Sequence, residues 1–183
     1  MATRMLIKNT ENHYGSVSIL LHWIIAILII GLLIIGIYMV PLPISREKLK
    51  FYRWHKEFGM VVLMLVVLRV AWRLSNIVPS LTNLPLWEKI AARSVHYAFY
   101  VFMFAMPITG WMMSSSAGFP VSFFGLFLLP DLVSPDESLR ITLTEIHKWL
   151  GYLLIATICL HIGASLKHHF INKDDILRRM LWP

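Results

Sequence analysis

Hydrophobic and polar positions alternate in long blocks along this chain. Four apolar stretches, each roughly 20 residues long, are separated by shorter stretches that contain most of the charge and proline. They cover residues 18–40, 54–72, 94–113 and 146–166. An α-helix of that length and composition crosses the hydrocarbon core of a bilayer. The pattern therefore predicts an all-α integral membrane four-helix bundle, with residues 1–183 as a single membrane domain.

The composition supports a membrane location and bounds the function. Of the residues, 57% are hydrophobic and 15% are charged, which lies far outside the usual range of soluble domains. The first apolar stretch is too long for the core of a signal peptide, so we expect it to remain as a helix. More of the 17 lysines and arginines fall beside the termini than on the opposite face, which predicts cytoplasmic termini. No basic stripe lies on a soluble surface, which argues against nucleic-acid binding.

The links between the apolar stretches differ in character. Residues 74–93 contain VPSLTNLP and are predicted to form a loop because of the prolines. The segment GFPVSFFGLFLLP, which follows the third stretch, is too short to span a bilayer and is predicted to lie at the interface. Pro107 falls in the middle of the third stretch and is expected to kink that helix.

Several of the eight histidines lie in or beside the apolar stretches, where ionisable residues are rare and usually functional. His147 and His161 are 14 positions apart, which places them within about 40° on one helix face and about 21 Å apart along the axis. By depth, His55 joins His147 near the outer side, and His22 joins His161 near the inner side. Two imidazoles that face each other across a helical bundle are the ligand set of a haem b, so two pairs predict two haem groups.

His96 also lies at the inner depth and is an alternative ligand. The residue one turn after each of the four chosen histidines is small, whereas Tyr100 follows His96, which favours the four. Zinc or copper would need three or more ligands that converge on one ion. Arg69 lies 14 positions beyond His55 and is a candidate partner for a haem propionate at the inner level. No CxxCH motif is present, so we expect the haem to be held without covalent attachment.

The residues around these histidines resemble the bacterial cytochrome b561 family over nearly the whole chain. The similar segments are LLHWIIA, HKEFGMVVLMLVVLRVAWRL, HYAFYVFMFAMPITGW and HIGASLKHHFINKDDILRRML. The resemblance implies a di-haem protein of the bacterial inner membrane with ligands at His22, His55, His147 and His161. It also implies electron exchange with ubiquinone and places His168 near the quinone region. One kind of family member resembles a superoxide oxidase, which takes electrons from superoxide at the outer face and reduces ubiquinone.

We favour superoxide as the electron donor because a run of cations precedes His55. Clustered positive charge attracts an anion, and Lys48, Lys50 and Arg53 lie just before that histidine. His96 is a candidate for hydrogen bonding to a quinone. The alternative is a cytochrome b membrane subunit that relays electrons between a partner dehydrogenase and quinone. A transporter would show inverted repeats and broken helices, which we do not find in the sequence.

Overall fold

A computed structural model describes residues 7–80 and 84–181 of the chain. The structure contains four long helices and one small hairpin. The helices are α1 (Ser16–Met39), α2 (Arg46–Leu74), α3 (Leu86–Ser116) and α4 (Glu137–Lys167), and the strands are β1 (Ser122–Phe123) and β2 (Phe127–Leu128). A π-helical turn (His168–Asn172) continues α4, and a 3₁₀ turn (Arg178–Met180) follows it. The predicted all-α membrane bundle is confirmed.

The helices extend beyond the predicted apolar stretches, because hydropathy does not detect their polar ends. α2 begins at Arg46, and the Ser45 hydroxyl caps it by accepting a hydrogen bond from the backbone N–H of Lys48 at 3.2 Å. α4 begins at Glu137, and Asp136 caps it by accepting from the N–H of Leu139 at 2.9 Å. Both of these extensions lie at the end of the bundle opposite the termini. α3 runs unbroken through Pro107.

Three of the four helices are long and apolar enough to cross a membrane by themselves. They are α1, α3 and α4 together with its π-helical turn. α2 is as long as the others, but its apolar part also contains Glu57, Arg69 and Arg73. The Glu57 side chain is buried, with its residue 4% exposed. Polar groups at this depth usually face the bundle interior for a functional reason.

Neighbouring helices pack in chain order, α1 on α2, α2 on α3, and α3 on α4. The core cluster lies among the first three helices and consists of Ile25, Val62, Val66 and Met103. Most other large apolar side chains are exposed on the outer surface of the bundle. Lipid solvates such side chains as well as another helix would, so their exposure agrees with a membrane location.

The segment that was predicted to lie at the interface forms a hairpin. Ser122 pairs with Leu128 and Phe123 pairs with Phe127. Three residues, 124–126, form the tip: Phe124 (φ 51) and Gly125 (φ 76) are both left-handed, and the N–H of Leu126 closes the turn on the carbonyl of Phe123 at 3.0 Å. The Phe124 ring packs edge-on against Phe58 of α2 at 5.4 Å. The hairpin therefore lies beside the outer part of α2, close in sequence to His55.

The opposite end of the bundle is held together by three chain segments. Asn9 donates from Nδ2 to the carbonyl of Ile77 at 2.8 Å, and the N–H of Ser80 donates to the carbonyl of Glu11 at 3.0 Å. The Trp23 indole donates to the carbonyl of Met180 at 2.8 Å. The N-terminal segment, the link between α2 and α3, and the C-terminal segment thus meet on one side.

Candidate functional site

The outer histidines lie opposite each other across the bundle. His55 of α2 and His147 of α4 have ring centroids 6.2 Å apart. Two glycines leave space beside them. A Cβ at Gly36 of α1 would lie 3.2 Å from Cε1 of His55, and a Cβ at Gly110 of α3 would lie 3.2 Å from Cε1 of His147. The missing side chains let the other two helices approach the imidazole pair closely.

Hydrogen bonding fixes one of these rings and leaves the other unsatisfied. Thr109 donates its single hydroxyl proton to the carbonyl of Ala105 at 2.7 Å, and its oxygen lies 3.0 Å from Nδ1 of His147. Nδ1 of His147 is therefore the donor, and Nε2 keeps its lone pair. Nδ1 of His55 is buried and makes no well-formed hydrogen bond within the described part of the chain, although the ring lies near the backbone carbonyl of Leu32. The His55 ring is therefore held less firmly by the protein than the His147 ring, and each ring keeps a nitrogen available to a group between the two.

Three histidines meet at the inner level. The rings of His22 and His161 are 6.2 Å apart, and the rings of His96 and His161 are 5.8 Å apart. Nη2 of Arg69 lies 3.3 Å from Nδ1 of His22. The structure thus brings together the predicted pair and its predicted rival, His96, and places Arg69 beside them. His22 and His161 are half-buried, whereas His96 is exposed.

A 14-residue spacing repeats in all four helices and connects the two levels. Each helix supplies one residue to the outer level and one to the inner level, about 21 Å apart along its axis. The outer residues are Gly36, His55, Gly110 and His147, and the inner residues are His22, Arg69, His96 and His161. In the sequence this spacing stands out only in α2 and α4, where a histidine or arginine marks both levels. Extended to α1 and α3, it would have identified the two glycines.

An apolar cleft lies between the two levels. It has a volume of about 220 Å³ and runs between α1 and α4. Its lining consists of Ile30, Leu33, Ile34, Ile37, Ile155, Ile158 and Cys159. Within residues 7–80 and 84–181, no three His, Cys, Asp or Glu side chains converge to bind a metal ion directly. The cleft itself contributes no charged side chain.

His168 makes its contacts outside the inner histidine group. It is buried, and its Nδ1 lies 2.6 Å from Oδ2 of Asp174 while its Nε2 lies 3.8 Å from Oε2 of Glu88. Lys167 also binds Glu88, with Nζ 2.8 Å from Oε1. These contacts connect the end of α4 to the start of α3. The quinone role suggested for His168 stays a prediction.

The outer cations differ in what their side chains do. Lys48 donates from Nζ to the carbonyls of Val40 at 3.1 Å and Leu42 at 2.6 Å, so it closes the C-terminal end of α1. Nζ of Lys50 lies 4.5 Å from the centre of the Trp54 ring. Arg53 is exposed. The three charges stand on the first turns of α2, and Lys48 is about 10 Å further out than His55 along the helix.

The chain is similar to known proteins over nearly its whole length. The family model for prokaryotic cytochrome b561 matches residues 13–183. Cytochrome b561 homolog 2 of Escherichia coli strain K12 is 35% identical over 179 residues, covering 97% of this chain and 95% of the relative. Cytochrome b561 homolog 1 of the same strain is 30% identical over 181 residues, covering 93% and 97%.

A third relative has a more specific name. A protein of Yersinia pestis named probable superoxide oxidase CybB is 26% identical over 174 residues, covering 92% of this chain and 95% of the relative. The family match extends over both histidine layers and all four helices. The chain therefore belongs to the prokaryotic cytochrome b561 family, whose members are membrane electron-transfer proteins that bind haem b.

Proposed function

We propose that this protein holds two haem b groups and passes electrons from its outer face to ubiquinone at its inner face. The observation that carries the proposal is the pair of imidazole contacts at two levels, each with ring centroids 6.2 Å apart. His55 and His147 would hold the outer haem, and His22 and His161 the inner one. Haem supplies one-electron chemistry, because its iron changes between the ferric and ferrous states.

The protein's own residues orient the ligands and control the surroundings. Thr109 sets the proton of His147 on Nδ1, which leaves Nε2 available as a metal ligand. Gly36 and Gly110 keep side-chain atoms away from the two outer rings. The cleft between α1 and α4 is lined by apolar side chains, which disfavour water between the two levels. Arg69 lies at the inner level, where it would balance a propionate charge.

Superoxide is the donor that we propose for the outer face. Each superoxide ion loses one electron to become dioxygen. Ubiquinone gains two electrons and two protons to become ubiquinol, so two superoxide ions are consumed for each quinol. Lys48, Lys50 and Arg53 would raise the local concentration of the anion near His55. The relative named as a probable superoxide oxidase supports this donor.

The test uses purified full-length protein in detergent. We expect two extractable haem b groups per chain from a pyridine haemochromogen assay, and reduction of a soluble ubiquinone analogue when superoxide is supplied. One haem or none per chain would contradict the di-haem assignment. Two haems without superoxide-dependent quinone reduction would instead favour the subunit that relays electrons from a partner dehydrogenase.

His96→Ala is expected to keep both haems and to slow quinone reduction by about tenfold or more. The reason is that an imidazole 5.8 Å from the His161 ring is close enough to the inner level to hydrogen-bond a quinone carbonyl and deliver a proton. Tyr97→Ala is the matched control, because Tyr97 is the next residue and is 73% exposed. Loss of the inner haem from the His96→Ala protein would instead make His96 a ligand in place of His22.

A further inference from the structure

A small pocket with both apolar and charged lining residues opens at the inner end of the bundle. Its volume is about 30 Å³, which accommodates about two water-sized groups. Its lining includes Tyr14, Arg69, Arg73 and Tyr100. Arg69 connects the pocket to the histidine group through its contact with Nδ1 of His22 at 3.3 Å.

Among the residues that the structure describes, the two arginines of this pocket have no negative partner. They are four residues apart on α2, so two like charges share one helix face, which is unfavourable unless an anion lies between them. No Asp or Glu of the described ranges forms an ion pair with either guanidinium. Arg73 instead lies over the ring of Tyr100, with 5.8 Å from Cζ to the ring centre. The pocket is therefore positively charged, and it fits an anion better than a neutral group.

The contact between Arg69 and His22 would have to change if His22 holds a haem. A guanidinium only donates, so Nδ1 of His22 must accept. A neutral imidazole that binds iron through Nε2 has its proton on Nδ1 and offers Arg69 no acceptor. Arg69 then needs another acceptor, and the pocket with Arg73 is beside it.

Tyr14 supplies a neutral donor to the same space. It lies just before α1 and is partly buried against the pocket. Burial raises the pKa of the Tyr14 phenol, an effect that Arg73 and Arg69 partly offset. The hydroxyl is therefore protonated at neutral pH and can donate to a carboxylate oxygen.

We propose that this pocket binds a propionate carboxylate of the haem held by His22, with Arg73 and Tyr14 acting together with Arg69. The proposal rests on the proposed function, since it requires a haem at the inner level. A carboxylate matches two guanidinium groups and one hydroxyl in charge and in hydrogen-bonding capacity. A quinone headgroup is neutral and would leave the two positive charges unbalanced. Arg73 and Tyr14 are thus binding residues for the inner haem.

The test measures haem retention and midpoint potential rather than activity. The variants are Arg73→Gln and Tyr14→Phe, and the inner haem is identified as the redox component that His22→Ala removes. We expect Arg73→Gln to speed loss of this haem to apomyoglobin by about tenfold, the order of effect of one charge-assisted hydrogen bond. Its midpoint potential should fall, because a positive charge that favours the reduced form is lost. Tyr14→Phe should speed haem loss to a smaller extent.

Arg178→Gln is the matched control for charge at the same side of the bundle, since Arg178 is exposed and pairs with Asp175 at 3.3 Å. Equal haem loss and equal potential in Arg73→Gln, Tyr14→Phe and the control would overturn the pocket assignment. So would slower quinone reduction in Arg73→Gln with both haem properties unchanged. If Arg73→Gln does not fold, Arg73→Lys with Tyr14→Phe decides, and unchanged haem loss in both overturns the proposal. A wild-type protein without the inner haem would show that the proposed function itself has failed.

Discussion

His147→Ala is expected to remove one of the two haems completely and to leave the other with its spectrum unchanged. The outer pair would hold one haem, and the inner pair lies about 21 Å away along α4. His55→Ala should remove the same spectral component, and His22→Ala should remove the other. Haem quantitation per chain and a redox difference spectrum give the answer directly. If His55→Ala and His22→Ala delete the same component, the pairing by depth is wrong.

The glycine beside His55 allows the same site to be tested with all histidines in place. A leucine at Gly36 would fill the space next to the ring, since even a Cβ there lies 3.2 Å from Cε1 of His55. Gly36→Leu should therefore weaken or abolish the outer haem. Gly31→Leu is the matched control in the same helix, because a Cβ at Gly31 meets nothing within 4 Å. Equal loss of haem in both variants would indicate general damage to α1 rather than an effect at the site.

The sequence predicted the helices well because burial in lipid leaves a strong signal. Each spanning helix needs a long apolar run, and such a run is visible without any knowledge of tertiary contacts. The same logic predicted the grouping of histidines by depth, since a straight helix converts sequence separation into distance. His55 and His147 are neighbours in space, and so are His22 and His161. The helix ends were missed because caps such as Ser45 act on residues that are not apolar.

Other features depended on tertiary contacts that hydropathy does not report. The hairpin has an unusual tip, with a phenylalanine rather than asparagine or glycine at its first left-handed position. The depth argument could not decide between His22 and His96, because both are at the inner level and only packing sets the ring distances. The sequence predicted a role for Lys48 in attracting superoxide from its charge alone. In the structure its ammonium group binds carbonyls at the end of α1. The family resemblance placed His168 near the quinone region. Its contacts with the carboxylates of Asp174 and Glu88 were not predicted from the sequence.

The hydrogen bonds of Lys48 also determine how the electrostatic prediction should be tested. Replacing Lys48 would remove a contact that closes α1, so a change in rate would have two explanations. Lys50 and Arg53 are exposed on the same part of α2. They can therefore be reversed in sign with less risk to the fold. The informative variant is the double reversal Lys50→Glu with Arg53→Glu.

We expect this double reversal to slow haem reduction by superoxide by about tenfold or more at low salt, because electrostatic steering raises the capture rate of a small anion by about 10-fold to 10³-fold. The difference from wild type should shrink with added salt, since the Debye length falls from about 10 Å at 0.1 M to about 3 Å at 1 M. Reduction by a neutral quinol should keep its rate.

Arg93→Glu with Arg178→Glu makes the same charge change at the other end of the bundle, on exposed residues, and should leave the superoxide rate unchanged. Stopped-flow absorbance measures the rate for wild type, the double reversal and the control, each at low and at high salt. Equal rates for the double reversal and wild type would mean that these cations only mark the membrane boundary. If superoxide reduces the haem in neither protein, the function as a dehydrogenase subunit is favoured instead.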